Sequence, residues 1–141
     1  MHATSAPIAP DQPFAHRVRV YWEDTDAGGV VFYANYLKFF ERARTEWLRS
    51  RGVQQQALKD DTGAMFVVTD TQVSYRRPAR LDDLLEVTVQ VAEAGKASFT
   101  LKQQAWCNGA LLAEGSIRIG CVDATTLRPR RIPDPVIHAM S

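Results

Sequence analysis

The sequence predicts an α+β domain in which a curved antiparallel sheet wraps one long helix, and three observations carry that expectation. A single stretch, residues 33–50, repeats its apolar positions at steps of three and four. Four later runs between residues 65 and 122 alternate with period two instead. The segments joining those runs are short and rich in turn-forming residues.

Taken in chain order, residues 17–22 alternate as a first strand, with Val18 and Val20 on one face and Trp22 as a strand-end core residue. Tyr36, Phe40, Ala43 and Trp47, flanked by Leu37, Phe39 and Leu48, form the apolar stripe of the helix, and charged residues fill most of the rest. At 3.6 residues per turn this is about five turns. Gly52 stands where a left-handed cap ends such a helix, and no other long helix is expected. The runs 65–76, 84–92, 98–107 and 111–122 are the remaining strands. In the second, Leu85, Val87, Val89 and Val91 oppose Glu86, Thr88 and Gln90, which describes a sheet with one covered face. Asn108-Gly109 is a two-residue hairpin signal, so the last strands form a meander. A short helix is expected after Asp134.

With 141 residues the chain fits one domain, expected at 17–141 behind a mobile, Pro/Ala-rich N-terminal segment, 1–16. Its 17 basic and 16 acidic residues give a net charge of +1, without the basic excess of a general nucleic-acid binder. The absence of a secretory leader and of any 18-residue apolar run argues for a cytoplasmic protein without membrane insertion. Cys107 and Cys121 form no C-x-x-C pair and read as core thiols.

The densest chemistry lies in WEDTDAGGVVFYANY, residues 22–36. Glu23, Asp24 and Asp26 are explained in the simplest case by turn and cap hydrogen bonding. A metal site is disfavoured, because the alternating oxygen ligands of a calcium loop are absent. A catalytic reading is also open: a carboxylate at a strand end, a Gly-Gly loop, and a helix N-terminus whose amides can receive an anion. His2, His16 and His138 all lie in terminal segments and no G-x-S-x-G elbow exists, which argues against a serine or cysteine triad.

Residues 21–36, YWEDTDAGGVVFYANY, together with FERARTE at 40–46, PARLDD at 78–83 and CVD at 121–123, resemble the hotdog-fold acyl-CoA thioesterases of the 4-hydroxybenzoyl-CoA thioesterase superfamily. The closer resemblance is to the YbgC-type, Tol-Pal-associated branch, and it spans residues 17–133. It implies the hotdog fold, a five-stranded antiparallel sheet around one central helix. It also implies hydrolysis of an acyl-CoA or acyl-ACP thioester, with coenzyme A entering only as part of the substrate and no separate cofactor or metal.

Residue by residue, the resemblance makes Asp26 the catalytic carboxylate, as nucleophile or as general base. The amides near Phe32 and Tyr33 become the oxyanion hole. Tyr33 departs from the His common in the YbgC-type branch and matches the Tyr of the 4-hydroxybenzoyl-CoA branch. Gly28 and Gly29 give the thioester room, Val30 and Phe32 border the acyl group, and Asn35 either caps the helix or touches substrate. Asp24 shapes the turn. Glu41 is either an ion-pair partner of Arg44 or a second carboxylate for the substrate. Lys96 is the expected phosphate contact, and Arg76, Arg77 and Arg80 form a second basic group, with Arg128, Arg130 and Arg131 a third. The implied assembly is a homodimer or a tetramer, placed in the cytoplasm or at the periphery of the inner membrane.

Two other readings compete. A hotdog dehydratase would need an active-site His, and none lies between His16 and His138. A non-catalytic adaptor, binding acyl-carrier protein or serving the Tol-Pal envelope system, would have no evident need for Asp26, Gly28 and Gly29 together.

Overall fold

Five strands and three helices follow in the order β1 (Phe14–Arg19), α1 (Tyr36–Ser50), α2 (Gln55–Thr62), β2 (Ala64–Tyr75), β3 (Leu84–Ala94), β4 (Ser98–Cys107), β5 (Ala110–Asp123) and α3 (Asp134–Ala139). The structure, a computed structural model, describes residues 14–141. Every strand pairing is antiparallel and the spatial order is β1-β3-β4-β5-β2, leaving β1 and β2 as edges. The β3-β4-β5 meander expected from the sequence is present. Its last turn is tight because Asn108 and Gly109 both take positive φ, 50° and 79°, the conformation that matches strand twist in a two-residue hairpin.

The register slips between Val91 and Glu93 in β3 and between Val68 and Asp70 in β2. Each extra residue bends its strand, and the sheet curves around α1. The helix turns Phe39, Phe40, Ala43 and Trp47 onto that concave face, where Leu85, Val87, Leu101 and Ile117 are also buried. Full burial of a side chain such as Phe39 or Phe40 contributes about 1.5–3 kcal/mol. Gly115 lies under the helix because a Cβ there would stand 3.2 Å from the Gln72 carbonyl and 3.3 Å from the Phe40 ring. The one wholly buried side-chain amide among the described residues, Gln103, is satisfied: its Nε2 donates to the Phe40 carbonyl at 2.9 Å and its Oε1 accepts from Arg44 Nη1 at 3.0 Å.

Four expectations need correction. The first strand lies earlier than residues 17–22: Phe14, Ala15 and His16 are already paired, opposite Val89, Thr88 and Val87. The expected mobile segment 1–16 therefore overlaps β1 at these three residues, and its remainder, 1–13, is outside the described residues. Trp22 is 79% exposed, not core. The chain leaves the sheet after Val20 and enters a 3-10 turn, Trp22–Asp24, that turns Asp24 inward and Trp22 out. The long helix begins at Tyr36, behind a separate 3-10 turn, Tyr33–Asn35. The helix α2 was not anticipated; it buries only Leu58 and so lacks an apolar stripe, although Gly63, at φ 77°, marks its end.

No helix among the described residues is long and apolar enough to cross a membrane.

Candidate active site

The acidic stretch is a pinned loop between β1 and α1. Its neck is an antiparallel bridge, Thr25 to Val31, closed by Asp26 N–H to the Val30 carbonyl (2.9 Å) and Phe32 N–H to the Asp24 carbonyl (3.1 Å). At its tip Gly29 N–H donates to the Asp26 carbonyl at 3.0 Å, and Gly29 takes φ 78°, which a side chain would strain.

Asp24 turns inward and Asp26 outward, although residues two apart in an extended strand share a face, because Asp24 closes the 3-10 turn Trp22–Asp24 and Asp26 lies beyond it. Asp24 is 6% exposed; one carboxylate oxygen accepts Tyr21 N–H at 2.9 Å, and the other accepts the Asn35 side-chain amide at 2.8 Å. Asp26 is exposed, and its Oδ1 accepts Gly28 N–H at 2.8 Å. That bond fixes the carboxylate's orientation and leaves the second oxygen open. A Cβ at position 28 would come within 3.2 Å of Oδ1, so glycine is what allows the carboxylate to rest there.

The returning limb supplies amides. Phe32 N–H is consumed by Asp24, so the open donors lie one residue later than expected. Tyr33 and Ala34 begin the 3-10 turn, no acceptor for their N–H groups is found among the described residues, and no side chain caps the turn. Asn35 does not cap α1 either: its backbone is already helical (φ −69°, ψ −22°), its oxygen takes no helix N–H, and its side-chain NH2 donates to Asp24. The Tyr33 ring is 63% exposed and Phe32 47%. The Tyr33 carbonyl accepts the Tyr75 hydroxyl at 3.0 Å, a contact from β2 that the sequence reading missed. Burial, and secondarily Tyr33, pushes the Tyr75 phenol above its usual range.

Val30 bridges Arg80 through the backbone, and Val31 N–H donates to the Ala79 carbonyl at 2.8 Å. Arg76 and Arg77 line an open recess of about 270 Å³ with Val31, Tyr33, Tyr36, Tyr75 and Pro78. Arg76 is paired with Glu114 at 2.7 Å. Lys96 lies in the turn after β3, the full 11-residue strand away from Leu84, roughly 35 Å at ~3.3 Å per residue. Arg130 donates to the Thr62 carbonyl, and Arg131 faces Asp134 at 4.0 Å.

Glu41 and Arg44 do not form the expected ion pair; the pairs among the described residues are Arg49–Glu46, Arg76–Glu114 and Arg131–Asp134. Arg44 turns inward to Gln103, and loss of water lowers its pKa, with Glu41 partly opposing that shift. Glu41 instead borders a separate recess of about 190 Å³ between α1 and the sheet, walled by Phe66, Phe99 and Leu101. Cys107 and Cys121 are free, and burial pushes both thiols up, away from nucleophilic thiolates. Among the described residues no group of three His, Cys, Asp or Glu is placed to hold a metal.

A curved sheet around one helix, with an acidic loop leading into uncapped helical amides, defines a class. The family model of the thioesterase-like superfamily matches residues 20–140, and the chain belongs to that superfamily. It has the hotdog fold and is a thioester hydrolase.

Within the superfamily it falls with the YbgC-type proteins. It is 43% identical over 126 residues to the acyl-CoA thioesterase YbgC of Haemophilus influenzae, covering 89% of this chain and 93% of that one. It is 43% identical over 125 residues to the acyl-CoA thioester hydrolase YbgC of an Escherichia coli O6:H1 strain, covering 88% and 92%. Among solved structures, a probable thioesterase from Bartonella henselae superposes with a TM-score of 0.82 at 32% identity, over 86% of this chain and 100% of that one.

Proposed function

We propose that the chain hydrolyses acyl-CoA thioesters at the β1–α1 loop, with Asp26 as the reactive carboxylate and the Tyr33 and Ala34 amides as the oxyanion hole. The observation that carries this reading is that one pinned loop presents both an open carboxylate oxygen, braced by Gly28 N–H, and two amides without acceptors.

The chemistry needs both. As a nucleophile Asp26 adds to the thioester carbon, the C–S bond breaks to release the thiol, and water then hydrolyses the mixed anhydride. As a base it takes a proton from water, whose oxygen adds to the same carbon; the C–S bond then breaks and the leaving thiolate takes up the proton. In either route negative charge gathers on the carbonyl oxygen. Fixed N–H donors stabilise that charge more than the ground state, and losing one such donor costs on the order of 100- to 1000-fold. The Tyr33 side chain is not required for this; its backbone is.

Coenzyme A would pass over the Arg77 and Arg80 side of the loop, where charge and an aromatic recess occur together. Lys96 would serve the phosphates from a second subunit. Exposed Phe32, Tyr33 and Leu37 beside an exposed Asp26 support a homodimer or tetramer, in which another copy shields the site from water. The acyl group would extend past Val30 and Phe32, and Glu41 would border it. We place the protein in the cytoplasm, with acyl-carrier protein as a second carrier of the acyl group.

The test is thiol release from a panel of acyl-CoA esters running from short aliphatic through aromatic to long chains. Wild type should turn over at least one of them, and Asp26→Ala should lose on the order of 100-fold or more of that rate. Equal, slow release by both would overturn the assignment and favour a non-catalytic adaptor.

A further inference from the structure

The described residues bury three polar or charged side chains, and two of them, Asp24 and Asn35, are bonded to each other. Burying a carboxylate is costly unless its oxygens are matched with donors. Here the match spans the loop: Asp24 reaches back to Tyr21 N–H where the strand ends and forward to the Asn35 amide where α1 begins, while its own carbonyl takes Phe32 N–H. Everything between these anchors is the segment that carries Asp26.

Asn35 stands at the start of α1 and caps nothing: its backbone is already helical, and its side-chain NH2 donates to Asp24. The Tyr33 and Ala34 N–H groups, just before it in the chain, have no acceptor among the described residues. The buried bond thus joins the end of the acidic turn to the start of the helix on either side of the open amides. We infer that Asp24 and Asn35 are a positioning pair, which holds the open helical amides and the Asp26 carboxylate in a fixed relation. The inference rests on the proposed reaction and adds the residues that set its geometry. Neither side chain touches the reacting atoms.

The pair has a directional test, because its two oxygens accept from different donors. In Asn35→Asp two carboxylates face each other with no donor between them, and the bond is lost, while Asp24 can still accept from Tyr21 N–H. In the exchanged pair, Asp24→Asn with Asn35→Asp, the amide at 24 donates to the carboxylate at 35 and the bond is restored with its polarity reversed.

The experiment measures kcat, KM and Tm for wild type, Asn35→Asp, Asn35→Ala and the exchanged pair, on whichever acyl-CoA ester the wild type hydrolyses best, with Asp26→Ala alongside. Both single variants should lose about 10- to 100-fold in kcat with KM within about twofold, since misplacement of a preorganised group costs rate rather than binding. The exchanged pair should recover most of that loss. The inference is overturned if the single variants keep wild-type kcat, if the exchanged pair is no faster than they are, or if kcat falls only in proportion to the folded fraction. An Asp26→Ala variant as active as wild type would instead overturn the proposed reaction, so the two failures are told apart.

Discussion

The Tyr75 hydroxyl, at the end of β2, donates to the Tyr33 carbonyl at 3.0 Å, and its ring stands edge-on to both Tyr33 (6.1 Å) and Tyr36 (5.5 Å). An edge strand is thereby tied to the turn that opens α1. The bond sets how far that turn can move relative to the sheet.

Tyr75→Phe removes the hydrogen bond and keeps the ring. Because the bond is solvent-exposed, the stability loss should fall near the low end of the usual range, about 0.5 kcal/mol, read as the shift in urea midpoint. Turnover should fall about threefold with KM little changed, if the turn is the proposed oxyanion hole. A variant unchanged in both would show the bond to be idle.

Gly28→Ala places a methyl group 3.2 Å from Asp26 Oδ1, and position 28 has no positive φ to add strain. The carboxylate must swing or its bond to the amide must lengthen. Thiol release should drop on the order of 10-fold, while the melting temperature stays within a few degrees because the residue is exposed.

Gln103→Leu is close in volume but leaves the Phe40 carbonyl without its side-chain donor and the inward-turned Arg44 without its acceptor. An unmatched buried polar group costs about 1–3 kcal/mol, and denaturant unfolding should show a loss in that range. Adding Arg44→Met should recover part of it, since the stranded cation is then gone.

Asp123 supplies a pH-dependent term. Its carboxylate accepts backbone N–H groups of Thr126 and Thr125, each at 2.9 Å, and these bonds hold its pKa below the ordinary aspartate value. A folded pKa lower than the unfolded one means stability that is present at neutral pH and lost as pH falls through the acid range. Asp123→Asn should therefore be less stable than wild type near neutrality, and the difference should shrink in acid. A difference independent of pH would remove the charge from the explanation.

The parts of the fold legible in the sequence were those where burial enforces a period. Leu85, Val87 and Val89 are buried in alternation, and β4 has the bounds expected for it. What escaped notice had weaker periodic signals. In α2 a single buried Leu58 cannot define a face. Trp22 was misplaced because composition says core while the backbone, leaving the sheet after Val20, says otherwise.

At the site, the inward turn of Asp24 against outward Asp26 is not encoded by their spacing, since residues two apart in an extended chain share a face; the 3-10 turn Trp22–Asp24 sets it. The Asp24–Asn35 bond was not legible either, since it joins residues 11 apart through a loop whose path no pattern encodes. The Tyr75 contact, across 42 residues, was invisible for the same reason.

The carboxylate and the open amides belong to one continuous segment of chain, pinned by hydrogen bonds that are mostly its own. The recess beside it is walled on one side by that segment, through Val31 and Tyr33, and on the other by Tyr36, Tyr75, Arg77 and Pro78 from α1, β2 and the connection after it. Changes on the far wall can therefore reshape the recess while the loop keeps its own bonds, so a lineage carrying this loop has room to vary one side of the cleft and hold the other constant.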